Sequence, residues 1–137
     1  KKIEEIVLRL NVQISLQGIA ENPYFKQFPY DAINPCTGEK VTLGDIDDVH
    51  KIMFECYNDC NKRGFTKVGL ALYEQSTMFA DMSKLIDPEC QIRIREYQFC
   101  KEFNCPPCPS LQETPADIVD EFMVIHEEML QYRLKGD

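Results

Sequence analysis

Cysteine and histidine offer the most chemistry in this chain. There are seven cysteines, Cys36, Cys56, Cys60, Cys90, Cys100, Cys105 and Cys108, and two histidines, His50 and His126. The odd cysteine count leaves at least one thiol unpaired within the chain. Three readings compete. In the first, the thiols are reduced and behave as small hydrophobes. Cys56 and Cys60 suit this reading, because Val49, Met53, Cys56 and Cys60 step by four, three and four along one helix face. They are poorly placed to bond to each other: helix neighbours four apart hold their Cβ atoms about 5–6 Å apart, against the ~3.5–4.5 Å of a disulfide. In the second, Cys100, Cys105 and Cys108, with Cys90 or else the Cys56/Cys60 pair, supply the thiolates of a closed tetrahedral zinc site, the set Cys90, Cys100, Cys105 and Cys108 being the one expected. Against it, Pro106, Pro107 and Pro109 remove backbone N–H groups that would otherwise donate to thiolate sulfur. In the third, Cys56-x3-Cys60 and Cys90-x9-Cys100 belong to a disulfide framework of the kind found in secreted or intermembrane proteins.

Cys105-Pro-Pro-Cys108 also has the spacing of a redox dithiol. A thioredoxin-like site needs a helix opening at its first cysteine, and Pro109 and Pro115 leave no room for one. Asp47 and His50 lie three apart, which reads as an acidic helix start beside a surface histidine. His126 is followed by Glu127 and Glu128 but by no second histidine four residues on. There is no glycine-rich phosphate loop and no Gly-x-Ser-x-Gly elbow. No catalytic set emerges, and the expectation is a non-enzymatic protein.

The feature that speaks most to function is a row of apolar residues near the C-terminus. Ile118, Phe122, Ile125, Met129 and Tyr132 step by four, three, four and three, the spacing of a helix-packing seam. Val119, Met123 and Leu130 add a neighbouring row, wider than one seam requires. Asp117, Asp120, Glu121, Glu127 and Glu128 read as the opposite, acidic side. The five-residue row is the predicted partner-binding surface.

The elements that must position these residues are read from periodicity and punctuation. Residues 8–17 alternate apolar and polar throughout, which predicts a half-buried strand with Leu8, Leu10, Val12, Ile14 and Leu16 on one face. Tyr24, Phe25, Phe28, Pro29 and Tyr30 form an aromatic loop. Residues 30–33 and 40–43 flank Asn-Pro and Thr-Gly turn signals and predict a hairpin. Thr42-Leu43-Gly44-Asp45 resembles a capping box and opens a helix over residues 45–61. A second helix is expected over residues 67–86. Asp87-Pro88 is a stop and a new start, so residues 90–103 are read as helix although residues 91–95 alternate like a strand. Residues 104–115 hold four prolines and read as a linker. Thr114-Pro115-Ala116-Asp117 caps a last helix expected to reach Lys135, with Gly136 ending it.

The whole chain is 137 residues, the size of one ordinary domain, with 44% hydrophobic residues and a net charge of −8. The acidic balance disfavours nucleic acid and anionic membranes as partners. No stretch nears the roughly 18 apolar residues of a membrane span. The apolar stretch of residues 3–16 is too interrupted for a secretory leader. The expected architecture is α+β: a short antiparallel sheet made of the N-terminal strand and hairpin, two or three central helices, and a C-terminal helix. Residues 1–103 form the core, 104–115 the linker and 116–137 the final helix. The leading expectation is a small acidic subunit or adaptor acting through protein–protein contacts or as a homo-oligomer. The alternatives are a secreted, disulfide-stabilised carrier of an apolar ligand and a zinc-stabilised regulatory module.

Overall fold

The computed structural model describes residues 2–19, 21–110 and 112–134. Among the described residues five α-helices and one two-stranded antiparallel hairpin follow in the order α1 (Lys2–Gln17), β1 (Tyr30–Ile33), β2 (Lys40–Leu43), α2 (Ile46–Lys62), α3 (Val68–Ser76), α4 (Pro88–Glu102) and α5 (Ala116–Leu134). The α+β class and the hairpin agree with the sequence reading. The expected C-terminal stop at Lys135 and Gly136 lies outside the described residues.

The predicted N-terminal strand is instead helix α1. The cause is visible in the packing. At about 100° per residue, positions two apart stand about 200° apart around a helix, on nearly opposite sides. Ile6, Leu10 and Ile14 form one row spaced by four and pack into a core shared with the hairpin, α2 and α3. Leu8 and Val12, joined by Leu16, form a second row and pack into a core shared with α4 and α5. Two opposed helical rows reproduce the alternation of a strand. A helix between two cores must also bury polar side chains, and the pattern alone does not reveal that these find partners.

They do find partners. Asn11 is fully buried. Its amide donates to Val7 O (2.8 Å) and Leu85 O (3.1 Å), while its Oδ1 accepts from Asp87 N (2.9 Å) and Gln91 Nε2 (3.0 Å). Asn11 therefore ties α1 to the segment that opens α4. Each such bond contributes a net ~0.5–1.5 kcal/mol, and losing one partner costs more than that.

The hairpin pairs Tyr30 with Leu43 and Ile33 with Lys40. Gly38 closes its turn at φ +75°, where a side chain would be strained. The capping box sits one turn later than expected: Asp45 Oδ1 accepts from Asp48 N (3.1 Å) and Asp48 Oδ2 accepts from Gly44 N (2.8 Å). The helix expected over 67–86 stops at Ser76. The chain then turns so that Phe79 enters the core, and Tyr30 Oη donates to Phe79 O (2.8 Å). A short 3-10 turn, Met82–Leu85, leads to α4. Phe25 and Tyr30 of the aromatic loop are buried core residues, and Lys84 lies 4.1 Å above the Phe28 ring.

Candidate functional site

Helix α5 holds the whole of the predicted partner-binding row. Of the predicted partner-binding row, Ile125 is fully buried, Phe122 and Met129 pack against the core shared by α1, α4 and α5, and Ile118 and Tyr132 are half-buried. Phe122 meets Tyr97 of α4 edge-on at 5.4 Å between ring centres. The centre of the row, Phe122, Ile125 and Met129, thus packs against its own chain. The adjacent row is the one turned outward: Met123 is 65% exposed and Leu130 40%.

Glu128, expected on the solvated acidic side, lies three residues from Ile125 and shares its buried face. Its carboxylate is fully buried and accepts from Arg9 Nη1 at 2.7 Å and from Gln13 Nε2 at 2.8 Å. Arg9 also reaches Glu5 (3.4 Å) and Glu127 (3.5 Å), and Gln17 donates to Gln13 Oε1 (2.8 Å), so a polar row runs along α1 at intervals of four. Burial raises the Glu128 carboxyl above the ordinary carboxylate range, offset in part by the bonds from Gln13 and Arg9. Burial would lower Arg9, but the bond to Glu128 and the charges of Glu128, Glu127 and Glu5 more than reverse this. Gly69 of α3 completes the enclosure, since a Cβ there would collide with the Glu128 carboxylate.

An apolar surface lies on the other side of α4. Ile92 (53% exposed) and Phe99 (58%) share one side of that helix, Phe103 (64%) caps its C-terminal end, and the two phenylalanine rings touch at 4.7 Å between centres. Pro106 and Pro107, in the segment expected as a linker, form a ridge between this side of α4 and α5. Two depressions share the ridge as a wall. One, of about 560 Å³, is lined by Tyr97, Val119, Phe122 and Met123. The other, of about 490 Å³, is lined by Ile92, Arg95 and Phe99. Glu127 and His126 border the first, and Glu96 the second. Tyr97 Oη and His126 Nδ1 are 2.9 Å apart, and Arg93 Nε donates to Glu121 at 2.9 Å, so α4 and α5 are tied together by polar contacts at two places. The phenylalanines of α4 were not singled out in the sequence. Their spacing of four was the signal, obscured by the strand-like alternation of residues 91–95.

All seven cysteines are free thiols, and Cys56 and Cys60 are buried. The four proposed metal ligands do not converge. Cys90 is in the first turn of α4 and Cys100 in its last, ten residues on, which at 1.5 Å per residue separates them by about 15 Å along the axis. Cys90 donates instead to Asp87 Oδ2 at 3.1 Å, and burial together with that carboxylate pushes its thiol up. Cys100 lies near Cys105, and burial and that neighbour raise its thiol as well. Among the described residues no group of three or more His, Cys, Asp or Glu side chains is arranged to hold a metal. No described helix is long and apolar enough to cross a membrane. Compared with protein-family models, curated proteins and solved structures, the chain matches none.

Proposed function

We propose that this chain is a non-enzymatic adaptor or subunit that captures an apolar, basic-flanked helical segment of a partner protein. The observation that carries the reading is the run of exposed apolar side chains, Ile92, Phe99, Phe103 and Met123, around the Pro106–Pro107 ridge. Large apolar side chains gathered at a surface mark interaction sites more often than the same residues scattered singly. Charge favours a foreign partner over a second copy. The chain carries −8 overall, and residues 113–137 hold seven acidic residues against two basic. Two such surfaces would repel, whereas lysines flanking an apolar helix would meet Glu96 and Glu127, half-exposed carboxylates that also pair with Arg93 and Arg9 within the chain.

The test is calorimetric titration with a synthetic amphipathic helix bearing leucine on one face and lysine on the other, beside a twin with glutamate in place of lysine. The lysine peptide should bind and the glutamate peptide should not. The combined variant Phe99→Ser, Phe103→Ser, Met123→Ser should lose binding while keeping its circular dichroism. Equal binding by that variant would reduce the contact to nonspecific charge. Salt-resistant self-association that the variant abolishes would make the occupant a second copy.

A second reading draws on the depression beside Phe122, whose volume falls in the range of small-molecule sites. Saturable binding of an environment-sensitive apolar dye, lost in Val119→Asp, would favour a carrier of apolar ligands over an adaptor.

A further inference from the structure

We infer that Cys36 and Cys56 form an oxidisable thiol pair that can close into a disulfide joining the tip of the hairpin to the middle of α2. Their sulfurs are 3.3 Å apart, so a small side-chain rotation brings them to bonding distance. The turn and α2 are already tied together beside them. Asn34 Oδ1 accepts from Cys36 N at 2.8 Å, and Asn34 Nδ2 donates to Glu55 Oε2 at 2.9 Å. Adjacent residues of α2, Glu55 and Cys56, thus hold alternate residues of the turn, Asn34 and Cys36. The turn itself closes through Asn34 N to Glu39 O (2.9 Å) and Gly38 N to Asn34 O (2.8 Å).

Accessibility assigns each thiol a part. Cys36 is partly exposed on the turn and can be reached from solvent, whereas Cys56 is fully buried behind it. Cys60, one turn further along α2, is also buried and lies 3.8 Å from Gln75 Oε1. The oxidant is a low-molecular-weight disulfide. The Cys36 thiolate attacks one of its sulfurs, the S–S bond breaks, a mixed disulfide forms on Cys36 and one small thiolate leaves. Cys56, its proton released to water, then attacks Cys36 Sγ and expels the second small thiolate. Two protein thiols are oxidised by two electrons, and one small disulfide becomes two thiols. Burial raises both protein thiols, so the reaction is slow at neutral pH and accelerates as pH rises.

The folded chain is incubated with excess oxidised glutathione at mildly alkaline pH, quenched with acid and alkylated, then digested with trypsin without reduction. Peptide 27–40, which contains Cys36, should be found linked to peptide 52–62, which contains Cys56 and Cys60. In Cys60→Ser the link should persist, which assigns it to Cys56 directly. In Cys56→Ser it should vanish and leave a mixed disulfide on Cys36. The oxidised chain should melt at a higher temperature than the reduced one, because the bond closes a loop in the unfolded chain. The inference is overturned by a link that is lost in Cys60→Ser. It is equally overturned if Cys36 stops at the mixed disulfide in the wild type, or if oxidation bonds other cysteines and leaves Cys36 and Cys56 unlinked. Should Cys56→Ser fail to fold, the wild type and Cys60→Ser decide the matter between them.

Discussion

Helix α1 carries Arg9, Asn11 and Gln13 into the interior, whereas α4 carries Ile92, Phe99 and Phe103 out of it. Both depart from the usual partition of polar and apolar residues, and for different reasons. These three polar groups of α1 are met: Asn11 by four bonds, Gln13 and Arg9 by Glu128. Their burial adds nothing to the apolar core but fixes the rotation of α1 relative to α5 and α4, since any other rotation would leave donors unpaired. The apolar groups on the outer side of α4 and at its cap stay more than half exposed, with Phe99 and Phe103 touching each other. The first departure is therefore structural, and the second is free to serve binding. Substitutions in the two regions should separate accordingly.

The largest effect is expected from Arg9→Ala. It leaves the Glu128 carboxylate buried with its charge unpaired and should destabilise by about 3–5 kcal/mol in urea titration. The sign of its pH dependence follows from the direction of the Glu128 shift. A carboxyl raised in the folded state contributes stability that is fully present below its unfolded pKa and is lost as pH rises through the folded pKa. Removing Arg9 raises Glu128 further, so the deficit relative to wild type should be smallest below about pH 4 and grow toward neutrality. A deficit that is independent of pH would assign the loss to packing alone.

Gly69→Ala should come next, at about 3 kcal/mol. A carboxylate at the end of a flexible chain can usually step aside, but Glu128 is boxed in by Arg9 and Gln13. A neutral outcome would mean that α3 can shift away from α5 at little cost. Phe122→Asp should cost about 2 kcal/mol through the lost contact with Tyr97 and a half-buried carboxylate. Thermal melting checks this, and a variant that melts like wild type but fails to associate would return the seam row to the role first read for it. The smallest stability change, within about 0.5 kcal/mol, is expected for Phe99→Ser with Phe103→Ser, whose side chains are more than half exposed. If that double variant unfolds, the outer side of α4 is holding the fold together and the contrast with α1 collapses.

Much of the fold was legible because its elements are punctuated. Asp45, Asp87-Pro88 and Pro115 mark three helix starts, and Asn-Pro with Gly38 marks the hairpin. Helix α1 was not legible, because two opposed rows spaced by four give the same string as one strand face. Telling them apart requires knowing that Glu128, more than a hundred residues away, waits for Arg9 and Gln13. Helix α3 was read too long because Phe79 and Ile86 kept helical spacing across a break that the core imposes. Of the site, the seam on α5 was visible as a spacing, but spacing does not say whether the surface it meets belongs to the same chain. The zinc set mixed one residue from the start of α4 with one from its end, a separation that becomes plain only once the segment is known to be helix.

The proline ridge has a consequence for how the molecule behaves at high concentration. Exposed phenylalanines invite uncontrolled stacking, and the dangerous form of it is growth by strand addition, in which one backbone templates the next. Pro106, Pro107 and Pro109 offer no N–H to such a template. An incoming chain can therefore be held here by its side chains but finds no continuous run of N–H groups in this segment to pair with.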